Sequence, residues 1–572
     1  MINRISGITF ILLALFSLGV RSYYLVQPAD QFKVTTWDAL GYYWYLPGTF
    51  IYNDISKLNW FDEVEKSYNL SGGDRYQYRD LENGNRVGKY FLGVSVMESP
   101  FFFIGHAYAK SSGNYATDGF SAPYQYSLAF GIVIYFILAL FLLRKILLLY
   151  YDDITVAISL LILVLGTNLI QYTAVDGSLS HSFIFLLYVL LIHFTIRWHE
   201  KPSGLYAALI GFTVGFAILC RPTEAIMIFI PILWGIADKE TRKAKWQTVM
   251  KHKSHLLWAA AFGALAILPQ LIYWKTVTGS FVYNIGSKWQ FLNPWFRVLF
   301  GFQKGWFIYT PLTLLFIVGF FFMKKYPFKR AILWFSLLNI WIVISWHEWR
   351  YGGSYSTRAL VQSYPVFALP LGAAVSKIMG TLWKYPVGVV VTYLIFVNLF
   401  QVAQYNSGVL LNDGMNRKYY AAIYLNSTPT PLQFSLLDTD EMLDEDGYKS
   451  SEILVLKSSK IQSRFDSTRF FISEYFEPSE NEDNWLKVNG TIISNTGISD
   501  SFLSCDYISE DSSKITDIRL YRPLIAPDGP NQYLFYYDIP DNLGKGVLRC
   551  YLKANSFFKG EIVELVITRF SK

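Results

Sequence analysis

The chain has 572 residues, of which 52% are hydrophobic, 18% aromatic and only 16% charged, with a mean hydropathy of +0.27. So few charges exclude an ordinary soluble protein and point to a polytopic membrane protein. The formal net charge of +7 is not a nucleic-acid signature, because the basic residues cluster in short loops between apolar runs, which is a topology signal.

In chain order, the apolar runs predict about eleven membrane helices, over 5–22, 124–146, 154–173, 181–197, 204–220, 223–237, 255–273, 306–323, 330–346, 359–377 and 386–404. The first run is flanked by Arg4 and Arg21; no small-x-small cleavage site follows it, so a retained signal anchor is expected. The segment 91–109, interrupted by Glu98, Pro100 and His106, is expected to be an interfacial or re-entrant helix in a first external loop spanning 23–123. The alternative is that it crosses the membrane and a weaker segment such as 223–237 does not.

With the amino terminus in the cytoplasm, Arg144-Lys145, Arg197 to Lys201, Lys239 to Lys253, Lys324 to Arg330 and Lys377 to Lys384 all fall inside, as the positive-inside rule requires. A multi-pass protein of the cell (inner) membrane is the expectation. The membrane domain covers 1–405. From Asn406 to 572 the composition turns to Ser, Asp, Glu and Asn with short alternating runs, which predicts an extracytoplasmic, all-β, sandwich-like domain. That domain would either recognise the acceptor or steady the enzyme. Its Tyr533, Phe535 and Tyr537 fit a core stripe or an exposed binding face. Cys505 and Cys550 could pair or stay free; with Cys220 they make neither a metal motif nor a disulfide framework.

On this topology unusual polar residues gather on the outer face. Asp38 stands in Thr35-Thr36-Trp37-Asp38-Ala39-Leu40-Gly41-Tyr42-Tyr43-Trp44-Tyr45 just after the first helix. Asp176 and His181 lie between the third and fourth predicted spans, and Arg221 and Glu224 between the fifth and sixth. His347, Glu348, Arg350, Gly352, Gly353 and Arg358 follow the ninth. Ionisable groups near membrane depth are costly and usually have a partner or a task. Each also has a plainer role: Asp176 and His181 as a helix cap and its neighbour, Arg221 as a snorkelling turn residue, Trp289 and Trp295 as interfacial anchors. As a set they supply cations for a phosphate, glycines for close backbone approach, a carboxylate to accept or orient a hydroxyl proton and aromatics to stack on sugars.

The membrane part, about residues 1–405, resembles the glycosyltransferase C superfamily. It is most similar to bacterial relatives of the protein O-mannosyltransferases of glycosyltransferase family 39 and of the lipid A aminoarabinose transferases. The resemblance rests on Asp38 in its aromatic setting, on Asp176 and on the stretch from Trp346 to Arg358; the Asp-Glu pair of the mannosyltransferases is missing, since Ala39 follows Asp38. It implies an extracytoplasmic, inverting transfer of a hexosyl or pentosyl group from a polyprenyl-phosphate sugar to a protein, lipid or glycan. Asp38 would be catalytic. Asp176 and His181 would shape the acceptor side or hold a divalent metal. Arg358, and after it Arg350, would contact the donor phosphate, with Tyr42, Tyr43, Arg221, Glu224, His347 and Glu348 in support. The competing expectation is a transporter or flippase for a lipid-linked or anionic substrate, whose charges would be reachable alternately from both faces.

Overall fold

The computed structural model describes residues 4–26, 33–73, 75–176, 178–463, 466–477, 483–496, 500–510, 512–521, 530–541 and 544–572. Gly177, in the predicted Asp176 turn, lies outside them. The chain divides into two compact units, Met1–Leu399 and Phe400–Lys572.

In the first unit, six helices among the described residues are long and apolar enough to cross a bilayer: Arg4–Leu25, Ala122–Leu147, Ser180–Glu200, Ser254–Thr278, Arg358–Met379 and Lys384–Asn406, the last running into the second unit. The remaining predicted spans are shorter or broken, so the count of eleven is not reproduced. Asp152 caps Asp153–Leu165 by accepting from the Ile154 and Thr155 amides, and that helix stops at Gly166. The stretch after Arg221 starts as a 3-10 helix, Pro222–Ile228, and ends as Phe229–Leu233. Trp306 to Phe320 is cut at Pro311, where proline removes a backbone donor. Gly204–Cys220 and Lys329–Ser345 have 17 residues each, a rise of roughly 26 Å, just under the hydrocarbon thickness. Gly204–Cys220 crosses Ser254–Thr278 backbone against backbone: a Cβ on Gly211 would stand 1.9 Å from the Ala259 carbonyl oxygen, the small-residue contact that lets membrane helices pack closely.

The segment 91–109 forms a helix, Gly93–Ser112, with Pro100 inside. It packs beside Ala122–Leu147, where Tyr135 donates to the Met97 carbonyl at 2.9 Å, and it is not among the six. The rest of the first loop folds over an aromatic core that includes Tyr43, Trp44, Trp60, Phe61, Phe102 and Phe120. A small antiparallel hairpin, β1 (Tyr78–Asp80) and β2 (Arg86–Gly88), belongs to this loop.

Among the described residues the second unit holds eight strands: β3 (Lys449–Ser463), β4 (Ser467–Phe476), β5 (Asn484–Thr496), β6 (Ser501–Ser509), β7 (Ser513–Arg519), β8 (Asn531–Ile539), β9 (Gly546–Ala554) and β10 (Phe558–Ser571). They form two four-stranded sheets, ordered β3-β10-β5-β8 and β4-β9-β6-β7. Alternate side chains of both sheets enter one core, which is a β-sandwich. Tyr533, Phe535 and Tyr537 are fully buried in it, so they are core and not a binding face. Cys505 and Cys550 are register partners across β6 and β9, both buried and both free thiols.

Candidate active site

Asp38 is the first residue of the short helix Asp38–Tyr43. The preceding Trp37 holds the left-handed value φ 51, a conformation that costs a bulky residue of order 1–3 kcal/mol and tends to persist at functional positions. Its amide donates to the Leu70 carbonyl at 3.1 Å, so the strained turn is fixed by the rest of the loop. The carboxylate is thereby aimed at three donors. Arg358 Nη2 reaches Oδ2 at 2.5 Å; the hydroxyls of Tyr76 and Tyr90 donate to Oδ1 at 2.8 and 2.7 Å. The pair is largely enclosed, with 25% of the Asp38 and 13% of the Arg358 side chain exposed.

The hairpin supplies both tyrosines. Tyr78 pairs with Gly88, and continuing that register outward sets Tyr76 opposite Tyr90, with Lys89 N donating to Gln77 O at 2.9 Å on the way. Same-parity positions share a face, so both hydroxyls meet one carboxylate oxygen. The Tyr42 ring packs on Tyr90 at 4.7 Å. Gly41 is required there: a Cβ would lie 2.1 Å from the Tyr90 ring.

Burial favours the neutral acid at Asp38, but the Arg358 charge and the Tyr90 and Tyr76 hydrogen bonds outweigh it and hold the carboxyl below the usual aspartate range. Burial and the Asp38 charge push both tyrosine hydroxyls up, so they stay protonated and donate.

Arg358 opens a 3-10 helix, Arg358–Ser363, that leads into Tyr364–Met379. The loop before it is pinned from beneath. Buried Lys304 donates through Nζ to the Gly352 and Ser354 carbonyls at 3.0 and 2.9 Å, and the single Thr357 hydroxyl proton is shared between the Val298 and Lys304 carbonyls, 2.8 and 2.7 Å away. Gly352 sits at φ +64, where glycine is strain-free; its carbonyl serves Lys304.

A cavity of about 530 Å³ is lined by Tyr90, which bonds Asp38, and by Ala359, which follows Arg358, though neither member of the pair lines it. Tyr42, Gln362, Arg221, Glu224, His347, Glu348, Trp289 and Trp346 form other walls. Trp289 is therefore a cavity wall. Four cations line it, Arg79, Lys89, Arg221 and Lys288, against two carboxylates, Glu224 and Glu348, an excess suited to an anionic ligand. Arg79, Lys89 and Lys288, with Tyr76, Tyr90 and Gln362, are absent from the sequence-based set. The Asn83-Gly84 turn, a hairpin signal, was the available clue to Tyr76 and Tyr90.

Other predicted residues lie elsewhere. Tyr43 turns into the loop core, where its hydroxyl donates to the Gly119 carbonyl. Arg350 is exposed and stacks over the Trp349 ring at 5.5 Å, outside the cavity lining. His181 is buried and bonds through Nδ1 to Gln362 Oε1 at 2.7 Å; Gln362 Nε2 donates to Glu224 Oε1 at 3.2 Å. Asp176 ends the π turn Gln171–Val175. The carbonyls of Val175 and Asp176 accept from buried Arg21 at 3.0 and 2.8 Å. No group of three or more His, Cys, Asp or Glu able to hold a metal occurs among the described residues.

No protein-family model matches the chain, and no curated protein matches it. Among solved structures, the chain is similar to the crystal structure of the oligosaccharyltransferase of Archaeoglobus fulgidus in its apo form, with a TM-score of 0.41 and 12% identity. The match covers 73% of this chain and 57% of that one, so the chain spans a little over half the length of that protein.

Proposed function

We propose that the chain is a membrane glycosyltransferase of the glycosyltransferase C type, which moves a sugar from a polyprenyl-phosphate donor to an acceptor hydroxyl or amide on the extracytoplasmic side. Its amino terminus lies in the cytoplasm and its β-sandwich outside. The observation that carries this reading is the Asp38–Arg358 pair, assembled from residues 320 positions apart and joined through Tyr90 to a cation-lined cavity.

The chemistry follows from the pair. In the resting site the Arg358 guanidinium neutralises Asp38. A donor phosphate arriving in the cavity competes for the same guanidinium, which can bond two oxygens at once. Once Arg358 turns toward the phosphate, Asp38 regains basicity and accepts the proton of the acceptor as its oxygen or nitrogen attacks the anomeric carbon. The glycosidic C–O bond breaks in line, the configuration inverts, and the electron pair leaves with the phosphate, whose charge Arg358 and the surrounding cations stabilise. Tyr76 and Tyr90 keep the carboxylate aimed throughout.

The test is to incubate the purified protein with a panel of polyprenyl-phosphate sugars and follow their consumption, with Asp38→Asn as control. Consumption by wild type and none by the control supports the proposal; equal consumption by both, with the variant correctly inserted, removes it.

A further inference from the structure

The helix Ser180–Glu200 connects two places. Its first turn carries His181 of the candidate site, and His199 in its last turn lines a second, larger cavity of about 1110 Å³. At 1.5 Å per residue these histidines are roughly 27 Å apart, close to the thickness of a bilayer's hydrocarbon core. The cationic end of the second cavity therefore lies a membrane's thickness from His181, while its apolar walls run along the helices as far as Ile218, two residues before Cys220 of the first cavity.

Its walls are the helices that cross at Gly211. They present Ile210, Val214 and Ile218 from one and Ala260, Ala264 and Ile267 from the other. Its rim is the helix Lys239–Lys251, where Lys239, Arg242 and Lys243 are exposed and line the cavity. Their i, i+3, i+4 spacing sets all three on one helical face. The rim helix is held in place by Lys245, whose Nζ donates to the Pro231 and Trp234 carbonyls at 2.7 and 2.6 Å. Trp246 beside it is 65% exposed, as an aromatic at headgroup level is. No aspartate or glutamate is among the lining residues.

An apolar groove whose rim faces it with cations only, Asp238 and Glu240 lying outside the lining, matches one kind of molecule, with a hydrocarbon chain at one end and an anion at the other. We infer that this cavity binds one anionic diacyl phospholipid of the leaflet opposite the active site, its chain between Val214 and Ala260 and its phosphate against Lys239, Arg242 and Lys243. A polyprenyl phosphate whose phosphate sat on this rim would hold it roughly 27 Å from the His181 end of the helix, which favours a resident phospholipid over the donor. The inference does not depend on the proposed activity.

Native mass spectrometry of the full chain, released from micelles doped with phosphatidylglycerol, phosphatidylcholine or polyprenyl phosphate, tests it. One phosphatidylglycerol per chain should be retained, with phosphatidylcholine lost and inorganic phosphate unable to displace it. The variant K239Q/R242Q/K243Q, changed only at exposed positions, should bind roughly a hundredfold more weakly. Ala260→Trp, which fills the groove at an exposed position, should also lose the lipid; if it does not fold, the charge variant decides alone. Equal retention by the charge variant, equal retention of phosphatidylcholine, displacement by inorganic phosphate, or selective retention of polyprenyl phosphate would each overturn it.

Discussion

Arg358 Nη2 lies 2.5 Å from Asp38 Oδ2, which joins the loop after the first long helix to the start of a late membrane helix through a single ion pair. Because both side chains are mostly enclosed, removing one partner strands the other. Asp38→Asn should lower sugar transfer by about 10²–10⁴-fold, the range for loss of a positioned proton acceptor. Its stability loss should stay below the roughly 3–5 kcal/mol of a fully dry pair, since the carboxylate keeps some contact with water. Transfer assays paired with melting curves in detergent separate the two effects.

Arg358→Lys keeps the charge but loses the planar fork. It should retain the ion pair and fold normally, while KM for a lipid-phosphate donor rises by about tenfold or more, as expected where bidentate recognition is lost. An unchanged KM would remove Arg358 from the donor site.

Tyr76→Phe and Tyr90→Phe each delete one hydrogen bond to the ionised carboxylate, worth roughly 1.5–3 kcal/mol. The Asp38 carboxyl lies below its unfolded value of about 3.9, so its stabilising contribution is present above that pH and is lost as pH falls through the folded value. Either substitution raises the folded value. The acid limb of the pH–rate profile should therefore move to higher pH in both variants, and furthest in the double variant.

Gly41→Ala adds one methyl far smaller than any substrate, yet it collides with the Tyr90 ring at 2.1 Å. Transfer should fall at least as far as in Tyr90→Phe, with membrane insertion and helix content unchanged by circular dichroism. Wild-type activity in this variant would show that Tyr90 does not position Asp38.

Gln362 bridges His181 and Glu224, all three buried. Gln362→Leu leaves both partners without that bridge and should cost about 1–3 kcal/mol, read as a lower melting temperature. Gln362→Glu is expected to be worse, because it sets a second carboxylate against Glu224.

Hydropathy and turn chemistry made much legible in the sequence. The apolar runs located the six long helices, because twenty apolar residues have few other stable settings than a bilayer. Alternating apolar residues separated by turns located the sandwich, because strand side chains alternate faces. Asp38 and Arg358 stood out as charges next to such runs. The sequence did not separate whole spans from broken ones, since hydropathy averages over Pro222 and Pro311 while the helix does not.

Only the tertiary structure decided which polar residues meet. Tyr42 and Tyr43 are neighbours in sequence, but a helix turns successive side chains about 100° apart, so one faces the cavity and the other the loop core. Arg350 and Arg358 share one loop, yet only Arg358 opens a helix aimed at Asp38. Tyr76 and Tyr90 owe their place to a hairpin register, and the cations of the cavity come from that hairpin (Arg79 and Lys89) and from two distant segments (Arg221 and Lys288). Local patterns fix local conformation through periodicity and backbone geometry; which distant side chains share a site depends on packing across hundreds of residues, and no window of sequence contains that information.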